Sequence, residues 1–416
     1  MEFPTISLRR RWWIVALLSA SIAINLVDRQ ALSLVAPVLR HQFSLSNTQY
    51  AYIIVAFQFG MLLGQVPAGM FLDWAGARLG FILIFLSWSV VNALHGLSRG
   101  LASLVGLRFL LGLAECGDYS GGIKVVASLF PAETRGLAGG FFNGGAQLGA
   151  ILSPPLIVLI TLHWGWRAAF LVPSVLGLIW LAPWVALFPR EKIRLSRAAP
   201  PGSSIPDPNP SRISLKMLLA RREVLGIVIF RAATGPLTSF YWYWLPEYLR
   251  HGRGLTLVAI GLLAWIPYVG GGIGNVTGGF FSDLLIRRGL TEDGARKTSF
   301  VVGGILSSLS LLVPFVGSTA VAIGIIFLVV FGNQCMAATY IGMVGDIFPS
   351  RIVATVNGIG GVADSGAGLV TMLLTGIIID RYSYFPVLIA AGVLPAISLI
   401  AVFLVIRRIA AVEFAA

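Results

Sequence analysis

A chain of 416 residues that is 57% hydrophobic and 11% charged lies far below the roughly 25% charged content of soluble domains. Its mean hydropathy of +0.87 excludes a soluble or disordered protein and assigns it to the integral membrane class. The net charge of +13 would suit nucleic acid only if the basic residues shared one face, and their distribution excludes that.

The N-terminal run RRRWWIVALL has the charge and apolarity of a signal peptide. No small-residue cleavage site precedes Asp28, and the apolar run continues too far, so it is read as a retained first membrane span at 12–38. Further apolar stretches lie at 48–72, 80–98, 101–127, 136–161, 167–188, 223–248, 256–281, 299–316, 319–345, 353–378 and 384–406. Each is about 20 residues or more, enough to cross a bilayer core. Between the sixth and seventh lies 189–222, where RAAPPGSSIPDPNPSR resists regular structure. The expected fold is an all-α membrane protein with twelve transmembrane helices in two six-helix pseudo-symmetric bundles. The N-terminal bundle covers 1–188, a linker covers 189–222, and the C-terminal bundle covers 223–416.

Of 30 Lys and Arg residues, twenty fall on the side of the two termini and the linker, six fall on the other side, and four lie within spans. The positive-inside rule therefore expects both termini and the linker to be cytoplasmic. The basic balance is topological and implies no nucleic-acid partner. Two cysteines and four scattered histidines make neither a disulfide framework nor a metal site, and no cofactor is expected. The halves also repeat: GMFLD (69–73) matches GFFSD (279–283), and SLFPAETRG (128–136) matches DIFPSRIVA (346–354). Two six-helix repeats around a central site are the layout of many secondary transporters.

The first span contains NLVDRQALS, with Asp28 and Arg29 adjacent in an apolar run. A charge at mid-bilayer depth costs about 3 kcal/mol on insertion scales, so intramembrane charges are rare and usually functional. In the fourth span Arg108 and Glu115 are seven residues apart, about 10 Å along a helix on one face, with Gly112 between them. They suit bracketing a small solute, pairing with Asp28 and Arg29, or a salt-bridge network that only fixes packing. A carboxylate beside a guanidinium changes its proton affinity when the cation is engaged elsewhere. An incoming anion that draws Arg29 or Arg108 away is therefore expected to let Asp28 or Glu115 take or keep a proton. Asp118, three residues after Glu115, either tunes it or faces water.

Asn143 and Gln147, one turn apart in the glycine-rich fifth span, are expected to face the pathway. In SFYWYWLPEYL (239–249) most aromatics suit an interfacial belt, while Tyr241 or Tyr243 suits capping a bound solute. Gln334, Thr339 and Ser365, with Asn333 and Asp364, offer contacts that read hydroxyls. Arg231 lies two turns into the seventh span, placed for either snorkelling or function. Asp73, Arg78 and Asp283 in the repeated loops are candidates for a cytoplasmic gate.

GMFLDWAGARLG (69–80) resembles the G-x-x-x-D-x-x-G-x-R element of the major facilitator superfamily, matched at Asp73 and Arg78. The segments DRQALS, RFLLGLAECGDYSGGIKVVASLFP, GWRAAF, YWLPEYL, GGFFSDLLIRRG with ARK, and DIFP run from the first span to the tenth. They resemble its anion:cation symporter branch, and within it the bacterial hexuronate and sugar-acid transporters. The resemblance implies proton-coupled import of an organic anion by alternating access. It places protonation sites at Asp28 and Glu115 and anion-handling cations at Arg29 and Arg108. It also implies a monomer in the bacterial inner membrane, with protons, a small organic anion and the lipid bilayer as its only partners. Leu26, Asp118 and Thr339 stand where the branch usually has Tyr, Asn and Asn, which points to a solute different from those of its relatives. An exporter of amphipathic compounds is disfavoured because GAILSPPL (149–156) lacks the Gly-Pro pair of the export motif. A membrane-embedded enzyme would need a nucleophile or metal constellation that the spans do not contain.

Overall fold

The computed structural model describes residues 7–130, 132–188, 215–348, 350–410 and 412. The described residues are almost entirely helical, and none lies in a strand. The helices are α1 (Leu8–Phe43), α2 (Asn47–Leu94), α3 (Leu101–Glu115), α4 (Gly117–Leu129), α5 (Ala132–Trp164), α6 (Ala168–Leu187), α7 (Leu215–Leu219) and α8 (Arg222–Tyr243). They continue with α9 (Leu245–Glu247), α10 (Leu257–Leu263), α11 (Ile266–Arg287), α12 (Glu292–Ser308), α13 (Thr319–Ile347), α14 (Ser350–Arg381) and α15 (Tyr384–Ile400).

The twelve apolar spans fall in order on these helices. The second and third spans are the two arms of α2, which break at Gly76 (φ 78°, ψ 161°), inside GMFLDWAGARLG. A positive φ strains any residue with a Cβ, so glycine is what allows the chain to turn there. The fourth span is divided at Cys116 into α3 and α4. Among the described residues, ten helices are long and apolar enough to cross a membrane by composition alone. The first arm of α2 and the α3–α4 span are not among them, and α3–α4 is the span that carries Arg108, Glu115, Asp118 and Lys124.

The helix starts are locally encoded. Ser46 and Gln49 form a capping box at α2, each side chain accepting from the other's backbone N–H. Thr256, Thr291 and Ser318 cap α10, α12 and α13. Between helices in lipid there is little hydrophobic gain, so association relies on close contact at small residues. A Cβ on Gly60 would lie 2.2 Å from the Phe109 carbonyl, and one on Gly112 would lie 2.2 Å from that of Phe57. The first arm of α2 therefore packs backbone to backbone on α3. Gly145 and Gly149 hold α5 against α1 in the same way, at Ser19 and Ala23.

Two compact units result. One takes the described residues up to 188 together with Tyr243–Trp265; the other takes the remainder. The end of the seventh span packs within the first unit. Arg40 on α1 forms an ion pair with the buried Glu247, Tyr50 donates to the Tyr243 carbonyl at 3.0 Å, and Gly261 packs on Val158. Of the expected linker, 189–214 lies outside the described residues. Its continuation, α7, buries Leu218 in the second core.

The core of the first unit contains a column of aromatic rings. Phe85 stacks on Trp180 with ring centroids 3.9 Å apart, Trp180 on Trp184 at 5.0 Å, and Phe85 meets Trp88 at 4.5 Å. The core of the second unit gathers Phe230, Phe300 and Tyr340, with Phe230 stacked on Tyr340 at 5.5 Å.

Candidate functional site

Successive residues on an α-helix point about 100° apart, and Asp28 and Arg29 accordingly face different neighbours. Asp28 is fully buried. Trp88 donates its indole N–H to Asp28 Oδ2 (2.5 Å), and Asn92 donates its amide to Oδ1 (2.7 Å). Trp88 and Asn92 are one turn apart on the second arm of α2. The aromatic column sets the angle of Trp88, and a further bond from Asn92 to the Phe170 carbonyl (3.2 Å) fixes the amide.

Arg29 turns instead to Glu115, Nε to Oε2 at 2.9 Å, with no side-chain exposure on the glutamate. The guanidinium lies 5.4 Å from the centre of the Phe57 ring. Arg108 reaches the same ring, 5.8 Å away, and also lies 5.8 Å from Phe170. Arg108 is 1% exposed, and its Nε and Nη2 have no hydrogen-bond partner among the described residues. Two guanidinium groups thus converge on one aromatic ring, and of the two only Arg29 is bonded to a carboxylate among the described residues. A buried cation without a partner is costly, and a planar N–H fork is suited to a carboxylate. The open donors of Arg108 suit a small anion. Gly112 has a clear role in it, because any side chain there would displace the Phe57 backbone.

The other candidates lie elsewhere. Asn143 is exposed and donates to the Gly139 carbonyl of its own helix (3.0 Å), while Gln147 is half-buried one turn on. Tyr241 is buried in the second unit, its hydroxyl 2.8 Å from Ser310. Thr339 is buried between α12 and α13, bonded to Ser299 (2.8 Å) and to the Cys335 carbonyl (2.9 Å). Gln334 is half-buried beside Asn333, which donates to Thr238 at 2.6 Å, and Ser365 is exposed. Leu26 is buried against Gly149 on α5.

Of the gate candidates, the Asp73 side chain lies outside the described residues. Arg78 donates to the Val185 carbonyl at 2.8 Å. Asp283 pairs with Arg296 (3.2 Å), which also holds Asp346 (2.9 Å). The structure therefore joins GFFSD, ARK and DIFP in one ionic cluster within the second unit. It also pairs Arg231 with Asp364 at 2.5 Å over the Tyr340 ring, the carboxylate filling the notch left by Gly235.

Reading the sequence did not single out Phe57, Trp88, Asn92 or Ser21. For Asn92 a signal existed, an isolated amide in the apolar run SVVNALHG, one turn from an indole. Phe57 carried none, because one ring among 25 phenylalanines has no distinguishing context.

A multi-span helical protein that gathers buried charges of both signs between its helices is built as a membrane transporter. The family profile of the Major Facilitator Superfamily matches residues 18–291 and 238–414, and the chain belongs to that superfamily. Its members are transporters, not enzymes. The probable galactarate/D-glucarate transporter GarP of Escherichia coli K12 is 30% identical over 399 residues, covering 90% of this chain and 89% of the relative. The D-galactonate transporter of E. coli O6:H1 is 26% identical, with 92% of each chain covered. The hexuronate transporter of E. coli K12 is 26% identical over 97% of this chain and 96% of its own. A bacterial homologue of the lysosomal transporter Spinster, solved inward-facing and unoccupied, superposes with a TM-score of 0.73 at 16% identity. That match covers 97% and 96% of the two chains and shows the shared fold.

Proposed function

We propose that this transporter imports a sugar acid (a hexuronate, aldonate or aldarate) together with protons, by alternating access. The observation that carries the reading is Arg108: a buried guanidinium whose Nε and Nη2 have no acceptor among the described residues, next to Arg29 over one ring. The names of the relatives supply the solute class, and a carboxylate is the group such a fork receives. Asn143, Gln147, Gln334 and Ser365 remain the proposed contacts to the sugar hydroxyls.

In this mechanism the solute carboxylate binds Arg108 and competes with Glu115 for Arg29. Glu115, released from its partner, takes the proton, while Asp28 in its Trp88–Asn92 cradle is the second protonation site. Release of solute and proton restores the Arg29–Glu115 bond. The six-helix halves 1–188 and 223–416 act as the moving parts, with 189–222 as their connection. Asp73, Arg78 and Asp283 work at the cytoplasmic gate. The protein acts as a monomer in the bacterial inner membrane with both termini cytoplasmic, and the proton is its coupling ion.

The test is uptake into proteoliposomes of D-glucuronate, D-galactonate and D-glucarate, with and without an inward proton gradient. Accumulation of at least one of them that depends on the gradient is expected. If no acidic solute is taken up or competes, the anion reading fails; if uptake ignores the gradient, the coupling fails.

A further inference from the structure

Asp118 is a third buried carboxyl that the mechanism above leaves unused. It lies one turn beyond Glu115, is 2% exposed, and has no partner at Oδ2 among the described residues. Its Oδ1 is 3.0 Å from the hydroxyl of Ser21 on α1, and that hydroxyl is also 2.7 Å from the Leu18 carbonyl. A serine hydroxyl has one hydrogen, so it cannot donate to both oxygens at once. Two arrangements satisfy the same atoms without moving a side chain. With a proton on Asp118, the carboxyl donates to Ser21 Oγ and Ser21 donates to Leu18. Without it, the serine hydrogen turns to Asp118, and the Leu18 carbonyl loses only a secondary contact.

The place of this pair matters as much as its chemistry. Ser21, Asn25 and Arg29 recur every four residues on one face of α1, and Asn25 stands beside Glu115. Ser21 is two turns nearer the N-terminal end of α1 than Asp28, and Asp118 lies beyond Glu115 in the same direction. The charged groups facing Asp118 are Arg29 from α1 and Glu115 from α3. α2 and α5 meet α4 there through Leu72, Phe81 and Phe142.

We infer that Asp118 and Ser21 form a proton station between Glu115 and the membrane face that carries the N-terminus. The proton leaves the Glu115 carboxyl for the Asp118 carboxylate, and Glu115, again charged, re-forms its bond to Arg29. Asp118 then gives the proton to water on the N-terminal side as the Ser21 hydrogen swings over to it. This inference rests on the proton-coupled reading above and deepens it.

The experiment compares Asp118→Asn, Asp118→Glu and Ser21→Ala with the natural protein in proteoliposomes, using whichever of D-glucuronate, D-galactonate and D-glucarate is carried. Solute counterflow and gradient-driven accumulation are measured side by side. For Asp118→Asn, counterflow stays within about twofold while accumulation falls about tenfold or more, the scale of a lost proton-transfer group. Asp118→Glu restores accumulation, and Ser21→Ala shifts its pH profile while leaving counterflow intact. Native accumulation in Asp118→Asn, or equal loss of both activities, overturns the inference. A natural protein without gradient-driven uptake overturns the coupling reading itself, which is a distinguishable result. An infrared pH titration of the solute-free protein adds an independent readout. A carboxyl band lost in Asp118→Asn and shifted in Ser21→Ala supports the station, and spectra unchanged by both substitutions overturn it.

Discussion

Each unit contains an arginine–carboxylate pair in its interior, and the two pairs differ in kind. In the first unit Arg29 and Glu115 join α1 to α3, with the glutamate side chain fully buried. A second guanidinium, Arg108, lies over the same ring and has no partner at Nε and Nη2 among the described residues. In the second unit Arg231 and Asp364 join α8 to α14, their side chains 23% and 29% exposed. Elsewhere in that unit polar side chains pair with one another, Tyr241 with Ser310, Thr339 with Ser299 and Asn333 with Thr238, while Tyr340 OH and Asn333 Oδ1 have no partner among the described residues. A guanidinium with open N–H donors is equipped to receive a carboxylate; one already bonded to its partner is not. For a sugar-acid solute as proposed, the open donors of Arg108 favour the first unit as the place where its acid group binds.

The largest effect is therefore expected at Arg108. Arg108→Ala removes hydrogen bonds to a charged group worth about 3 kcal/mol, a weakening of roughly a hundredfold in solute affinity. Arg108→Lys keeps the charge but loses the fork and should recover only part of it. Solute binding to the purified variants, measured by calorimetry, decides this. An affinity unchanged in Arg108→Ala would move the acid-binding site elsewhere.

Next in size is the coupling defect of Asp28→Asn. The substitution puts an NH2 opposite one of two donors, Trp88 or Asn92. Asn92 can turn its Oδ1, unpartnered among the described residues, toward it by giving up its 3.2 Å bond to the Phe170 carbonyl, so the fold tolerates the change at the cost of one hydrogen bond. Gradient-driven accumulation should disappear while counterflow persists. Full proton-driven uptake by this variant would remove Asp28 from the coupling scheme.

Arg231→Gln sharpens the contrast from the other side. It breaks a pair that is partly open to solvent, and such pairs contribute about 1 kcal/mol or less. A loss in uptake below about tenfold is expected, against roughly a hundredfold for Arg108. If the two losses measured in the same vesicles are equal, the charges of both units serve the solute and the asymmetry is lost.

Much of the fold was legible in the chain because membranes constrain sequence strongly. Span length, Lys and Arg placement and the repeated GMFLD and GFFSD loops carry the helix order, and Gly76 marks the turn between the second and third spans. The intramembrane charges were legible for the same reason, since apolar surroundings expose them. Their partners were not. Asp28 and Arg29 read as a couple by adjacency, yet helical rotation sends one to α2 and the other to α3. Side-chain direction also decides the fate of isolated polar residues. Gln334 and Thr339 look alike in a sequence, but five residues on one helix separate a half-buried amide from a hydroxyl fully enclosed by packing. Leu26, next to the charges in sequence, faces the glycine surface of α5, so its bearing on solute choice is not written in its contacts.

Thr339 supplies the smallest and most discriminating measurement. Its hydroxyl bonds to Ser299 across the α12–α13 contact and to its own helix at Cys335, with no surface left for a solute. Thr339→Val keeps the shape of the side chain and removes those bonds. The Ser299 hydroxyl then keeps only its long contact to the Gly278 carbonyl at 3.5 Å. The expected cost is about 1 kcal/mol of stability, visible as a lower midpoint of thermal unfolding in detergent, with solute affinity within about twofold of the natural protein. A loss of affinity without a loss of stability would bring Thr339 into the solute site, as its position in the sequence first suggested. It would also mean that α12 and α13 separate there during transport, because only such a movement would give a solute access to that hydroxyl.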